Sequence, residues 1–377
     1  MFTRIKAISK KEIKQLLRDV RLLFVLLFFP VFLLIIFGYA INFDVKHIQL
    51  AVYDKDKTEF SREFIRSLIN SEYFDLVEYI NDESQIKKAL EESAAQCVVV
   101  IPHNFAADYY SSREVKIQYL IDGVNANTAT IIRNYVIGAT ASFNQKISSE
   151  ILAVKGIQIY QPLDLQPVFW FNPTLQTTKF LIPGLIAMIL IITAIISVSL
   201  SLVREKERGT IEQIDVSPAS SFELLVGKIF PYIIIALLDA ALILIAGYIL
   251  FDIEVRGSLI LLFLCTLFFI TASTTLGIFI STIADSQQVA FMMSTFASLL
   301  PSLILSGFIF PINSMPLAVQ ILTNISPAKF FIVILRAIIL RGAGVEAFWG
   351  QLIYLAIFTL LMGTLAVIVH RKKLLSA

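Results

Sequence analysis

Six stretches of this chain stay apolar for about the 20 residues that a helix needs to cross a hydrocarbon core. They cover residues 22–41, 180–203, 229–251, 258–283, 287–310 and 351–369. Runs of this length and number exclude a single soluble domain. Composition agrees: the 377 residues are 57% hydrophobic and only 16% charged, with a mean hydropathy of +0.77, where soluble domains are apolar over about half their residues. The first run is too long for the core of a cleaved signal, which spans about 7–15 residues, and no small-x-small site follows it. The expected fold is an α-helical polytopic membrane protein with six transmembrane helices.

Lysine and arginine set the orientation. Residues 1–21 carry Arg4, Lys6, Lys10, Lys11, Lys14, Arg18 and Arg21, and the end of the chain carries Arg371, Lys372 and Lys373. Both termini, with 370–377 as a tail, are therefore expected in the cytoplasm, as an even number of spans permits. That places 204–223 inside and 44–178 outside. The outer segment 311–350 carries Lys329, Arg336 and Arg341 against this rule. Within it, 330–340 is apolar except for Arg336 and too short to span, so it reads as a re-entrant or interfacial helix. Ahead of the first span, Ile13, Leu16, Leu17 and Val20 share one helical face while Lys10, Lys11, Lys14, Arg18 and Arg21 crowd the other. Such an amphipathic helix lies in the headgroup plane.

Residues 44–178 change character. Strands are predicted at 48–53, 74–80, 97–101 and 115–121, and helices at 59–70, 83–92 and 104–111, followed by a long helix over 126–153. This alternation predicts an α/β or α+β domain on a parallel or mixed sheet, between the first and second transmembrane helices. Asp54, Asp56 and Asp122 read as solvated turns. Cys97 and Cys265 read as packing residues, and the three histidines show no metal-ligand spacing.

The densest charge lies between the second and third spans: Arg204-Glu205-Lys206-Glu207-Arg208-Gly209-Thr210-Ile211-Glu212, then Gln213-Ile214-Asp215-Val216-Ser217-Pro218. It must sit in water at the end of a helix. Gly209 breaks that helix. Thr210 and Gln213 form a capping box that starts a short new one, which Ser217-Pro218 stops. Ser220 and Glu223 form a second box that opens the third span. A short capped helix in the cytoplasm is a docking point for a soluble partner. Among the six spans, Asp239 is the one ionisable side chain at mid-depth. It reads first as an interhelical hydrogen-bonding residue, second as a transport site. Lys228 lies at an interface, where it can snorkel. No G-x-x-x-x-G-K-[ST], G-x-S-x-G or H-E-x-x-H is present, so uphill transport requires a second chain that hydrolyses nucleotide.

At this point the sequence resembles a family, the ABC-2 type permeases that form the membrane subunits of ATP-binding-cassette exporters, and within it the bacterial drug-export branch. Arg204–Pro218 resembles the family's E-x-E-x-G-T-x-E-x-[IL] segment. Arg18-Asp19, Pro30, Phe37-Gly38-Tyr39 and Ile41-Asn42 resemble its first span. Phe171-Asn172-Pro173 and Ile182-Pro183-Gly184 resemble the start of the second. Pro301, Leu305-Ser306-Gly307-Phe308-Ile309-Phe310 and Ser314-Met315-Pro316 resemble the fifth span and its outer end. Val20 departs from the pattern, since related sequences often have Pro after Arg-Asp.

The resemblance implies that 1–21 act as an elbow helix and that 180–369 form the ABC-2 transmembrane domain. It implies that Arg204, Glu205, Glu207, Gly209, Thr210, Glu212, Ser217 and Pro218 serve coupling to an ATPase. It further implies a second permease chain and an ABC ATPase that binds ATP and Mg, with no catalytic residue or cofactor in this chain, and location in the bacterial inner membrane. An extracytoplasmic adaptor protein is a further expected partner, and nucleic acid is not one. The rival readings are a membrane-anchored receptor or assembly factor, then a secondary transporter, for which Asp239 alone is thin equipment.

Overall fold

The computed structural model describes residues 2–40, 47–71, 73–111, 113–154, 170–172, 176–209 and 221–376. Residues 1–42 with 168–377 form one compact unit and residues 43–167 a second.

The first unit is helical. Helix α1 (Phe2–Arg18) is followed after Asp19 by α2 (Val20–Ala40). The break at Asp19 forms with Val20, not proline, following it, and the Asp19 amide still donates back to the carbonyls of Gln15 and Leu16. In the second unit α3 (Glu59–Ile69), α4 (Glu83–Glu91), α5 (Phe105–Tyr110) and α6 (Ala126–Val154) surround four strands, taken up below. The first unit then continues with α7 (Thr177–Glu207), α8 (Ser221–Phe251), α9 (Leu259–Ile283) and α10 (Gln287–Ile304). It closes with α11 (Leu317–Leu322), α12 (Pro327–Ile339) and α13 (Trp349–Ser376).

Four helices are long and apolar enough to cross a membrane among the described residues: Thr177–Glu207, Val226–Phe251, Leu259–Ile283 and Trp349–Val369. A fifth is added if Leu317–Ile325 and Pro327–Ile339, bent by 87°, count as one broken span. The chain is thus a mostly helical membrane protein with four to five apolar spans. The other two of the six predicted runs are helical but shorter in apolar length. The described apolar part of α2 is Leu26–Ala40. Helix α10 opens on two glutamines and stops at Ile304, because Gly307 turns left-handed (φ +75°) and ends the helical path before the predicted limit at 310. The 87° bend falls inside the segment 311–350, just ahead of the stretch 330–340 predicted to be a re-entrant or interfacial helix. Ser326 and Pro327 make it, since proline has no N–H to continue a helix yet is suited to the first turn of the next.

Helix α7 is the hub. Two-thirds of its most apolar window is buried by protein, against 11% for α13, so α7 is a core helix and α13 a peripheral one. It packs on α2, α8, α9, α10 and α12. Small residues permit the close approaches. A Cβ on Gly277 of α9 would lie 2.9 Å from the Ile195 carbonyl of α7. Ser294, Ser298 and Ser302 recur at a spacing of four and are fully buried on α10, where Ser294 meets Ser199 of α7 at 2.6 Å.

The second unit has strands β1 (Ile48–Asp54), β2 (Phe74–Tyr79), β3 (Cys97–Ile101) and β4 (Gln118–Ile121) in the order β2-β1-β3-β4. Strand β1 pairs in parallel with β2 and β3, and β3 pairs antiparallel with β4, so the small sheet is mixed. Side-chain alternation builds two cores. Leu50, Val52 and Val99 join Phe60, Phe64 and Phe143 on one face; Ala51 and Val98 join Ile86 and Ala89 of α4 on the other. Burial on both faces explains why β3 reads as a continuous apolar run rather than an alternating one. Predicted and observed elements agree closely, except that β4 starts at Gln118 rather than 115. Thr58 and Asp82 cap α3 and α4 by accepting from the amides of Ser61 and Ser84. Asp54 and Asp56 are turn residues: Asp54 accepts from the amides of Asp56 and Lys57 at 3.0 Å and from the Ser61 hydroxyl at 2.7 Å. Both cysteines are free and buried, and burial pushes the Cys97 thiol up to about 12.

Candidate functional site

The charged run after the second predicted span begins as the last turn of α7 and leaves it at Gly209. Glycine adopts the left-handed geometry there (φ +68°), as helix C-termini favour. Its amide donates to the Lys206 carbonyl at 3.1 Å. Thr210, Glu212, Ser217 and Pro218 lie outside the described residues, as do both capping-box serine and threonine positions, Thr210 and Ser220.

The described charges point in three directions. Glu205 points inward. It is buried and pairs with Lys228 of α8, itself buried, and with Lys11 of α1 at 2.9 Å. Lys228 therefore does not snorkel to water as its position near a span end suggested. Helix α1 covers it, and inside the protein a counter-charge replaces solvation. Lys206 reaches across to α9 and donates to the carbonyls of Ser281, Thr282 and Ala284, three of the acceptors that a helix C-terminus leaves open. Glu207 caps the next helix: its carboxylate accepts from the Gln287 amide at 2.7 Å and from the Gln287 side chain. Arg204 bridges the two sides, with Nε donating to Gln287 at 3.3 Å and a terminal nitrogen 3.8 Å from Asp19.

Helix α1 is fastened to α8 along its whole length. Arg4 meets Glu223 at 3.6 Å, the Ser9 hydroxyl donates to the Gly227 carbonyl at 2.8 Å, and Leu16 packs with Tyr232. Gly227 makes this possible, because a Cβ there would sit 2.9 Å from Ile8. The face that α1 buries is Ser9, Glu12 and Leu16, rotated from the apolar face read in the sequence; Leu17 and Val20 stay exposed. The end of α7 is thus tied at once to α1, to α8 and to the α9–α10 turn. No nucleophile is paired with a base in this arrangement, and no cluster of three or more His, Cys, Asp or Glu side chains able to hold a metal occurs among the described residues.

Asp239 lies deeper on α8, 1% exposed. The Thr193 hydroxyl of α7 lies 3.4 Å from one carboxylate oxygen, and the other oxygen has no hydrogen-bond partner among the described residues. It borders a cavity of about 10 Å³ with Leu26, Ser197 and Tyr232.

Comparison with known proteins decides the family. Residues 20–368 match the model of the ABC-2 family transporter protein. The chain belongs to the ABC-2 transporter family. It is 29% identical to the probable multidrug ABC transporter permease YbhR of Escherichia coli (strain K12) over 375 residues, covering all of both chains. To the probable multidrug ABC transporter permease YbhS of the same organism it is 32% identical over 341 residues, covering 90% of this chain and 89% of the relative. To the inner membrane transport permease YhhJ, also of that organism, it is 28% identical over 330 residues, 86% of this chain and 85% of the relative. The chain is the permease subunit of an ABC-2 type exporter, and ATPase activity lies in a separate subunit.

Two of the motifs that resemble those of ABC-2 permeases mate in space. In Ile182-Pro183-Gly184, Gly184 leaves room for the fully buried ring of Phe308, from the Ser306-Gly307-Phe308 turn; a Cβ on Gly184 would come within 2.2 Å of it. Arg336 holds the same turn. It donates to the carbonyls of Gly307 and Phe180 at 3.2 Å, and its guanidinium lies 3.8 Å over the Phe180 ring. Arg336, one of the three basic residues that ran against the charge rule, is a structural clamp between α7, α12 and the end of α10. Sequence reasoning missed that role, and the available signal was Arg336 standing alone in an apolar run.

Proposed function

We propose that this permease spans a bacterial inner membrane six times, with both termini and residues 204–223 in the cytoplasm and 44–178 outside. Its cargo is apolar or amphipathic. Support for the cargo class comes from the similar proteins named as probable multidrug permeases, and for the membrane from the one named an inner membrane permease. A second permease chain, identical or different, and an ABC ATPase holding ATP and Mg complete the exporter on this reading, and an extracytoplasmic adaptor engages the outer domain.

The observation that carries the reading is the junction at the end of α7. Glu205, Lys206 and Glu207 engage α1 with α8, the C-terminus of α9 and the N-terminus of α10. Residues 210–218 follow directly, so a displacement delivered there by an ATPase is passed to four helices through charged contacts of short reach. Arg204, Glu205 and Glu207 on this view transmit the displacement, and Gly209, Thr210, Glu212, Ser217 and Pro218 shape the surface that receives it. Glu207→Ala combined with Glu212→Ala is expected to leave membrane insertion intact and to abolish drug-stimulated ATP hydrolysis by the co-purified ATPase. Normal export by that double variant would reduce the segment to a linker.

A further inference from the structure

Where α1 meets the end of α7 the protein holds an open cavity of about 480 Å³. Its charged lining is Lys11, Arg18, Arg204 and Arg208 against Glu12, Asp19 and Glu205. Most of these charges are spoken for. Glu205 is held by Lys228 and Lys11, Glu12 lies 3.6 Å from Lys11, and Asp19 faces Arg204. Arg18 and Arg208 remain, exposed and with no acidic partner among the described residues. A second concavity of about 580 Å³ adjoins, sharing Lys11, Gln15 and Arg18 and adding Ala7, Lys10 and Lys14, with no carboxylate in its lining. Lys10 and Lys14 are likewise exposed. Apolar side chains flank Arg18 in sequence: Leu17, Val20 and Phe24 are each at least 60% exposed, and Phe24 stacks on Phe28 at 4.8 Å.

Guanidinium groups with no acidic partner among the described residues, in a stretch flanked by exposed apolar side chains, match one kind of ligand: a molecule with an anionic head and a hydrocarbon tail. Arginine pairs bidentately with phosphate oxygens. A free phosphate would use the cations but leave the apolar step unexplained. We propose that this junction binds an anionic glycerophospholipid, its phosphate held by Arg18 and Arg208 with Lys10 and Lys14 adjoining, and its acyl chains along Leu17, Val20 and Phe24. Bound there, the lipid bridges α1 to the last turn of α7 and makes the bilayer part of the junction that couples the helices. The inference holds whichever face of the membrane α1 occupies.

Native mass spectrometry of the full-length permease, equilibrated with vesicles of equal dioleoyl phosphatidylglycerol and dioleoyl phosphatidylcholine, tests it. The expected result is a roughly tenfold enrichment of the anionic lipid in the retained fraction, the scale set by one to two basic side chains at a lipid surface. Arg18→Gln with Arg208→Gln should bring the ratio to parity, while Lys372→Gln, an exposed basic change elsewhere, leaves it unchanged. A photoactivatable phosphatidylglycerol should label the wild-type peptide spanning residues 10–24, a readout that survives if the double variant fails to fold. Equal retention of the two lipids by the wild type, an unchanged ratio in the double variant, or labelling confined to other peptides would overturn the proposal. So would competition by inorganic phosphate at the lipid's own concentration, which would assign the site to a free anion. Displacement of the lipid by added ATPase subunit would give these cations to a protein contact and overturn it equally.

Discussion

Glu205 and Lys228 form a demanding contact, two opposite charges withdrawn from water at the meeting of three helices. Removing one partner strands the other, a loss of about 3–5 kcal/mol for a buried pair, whereas replacing both by apolar groups of similar volume is often neutral. Glu205→Ala is therefore expected to lower the thermal midpoint of the purified permease sharply, and Glu205→Leu with Lys228→Met to recover most of it. Additive losses in that double-mutant cycle would show that the two side chains do not act as a pair. Asp239 differs, because among the described residues its contact is a single long one to Thr193 and its other oxygen is unpartnered. Asp239→Asn keeps the acceptor and loses the charge, so ATP-driven export should persist in the Asn variant. Efflux driven by a proton gradient with ATP depleted, and lost in this variant, would instead favour a secondary transporter.

At the scale of elements, the helices are set by where small residues allow close approach. Gly227 admits α1 onto α8, Gly277 admits α9 onto α7, and Gly184 receives Phe308. The Gly184 seat should be the least forgiving, because the ring it meets is fully buried and Arg336 holds the adjoining carbonyls. Gly184→Ala is expected to cost about 1–3 kcal/mol, the usual range for overpacking. Phe308→Leu in the Gly184→Ala background should restore part of the loss, measured as the thermal midpoint in detergent. If Phe308→Leu adds a further loss of full size instead, the two side chains are not competing for one space.

For the whole molecule, the question is what the second compact unit contributes. It has its own apolar cores and its own sheet, far more than a connection between two helices requires. Replacing residues 46–176 by a short Gly/Ser linker should leave the α7 junction and ATPase binding in place, since every contact of that junction lies within the first unit. Export should nonetheless fail. A shortened chain that binds its ATPase and exports at the normal rate would remove the second unit from the transport pathway.

Local signals carried a large part of this structure. Four or five of the six apolar runs, the strand and helix periods in the second unit and the helix stop at Gly209 all depend on neighbours within a few residues, and are legible in the chain. The resemblance to the ABC-2 family rested on the same kind of short segments and was upheld over residues 20–368. What could not be read was pairing at a distance. Lys228 looked like an interfacial lysine, Arg336 like an exception to a charge rule, and Glu205 and Glu207 like neighbours in one charged run in water at the end of a helix. Successive side chains on a helix point about 100° apart, so residues adjacent in sequence leave α7 in different directions and meet partners 23 to 194 positions away. Which of these charges is buried, capped or left to solvent is decided by the packing of α1, α8, α9 and α10 around α7, and only the tertiary structure supplies that.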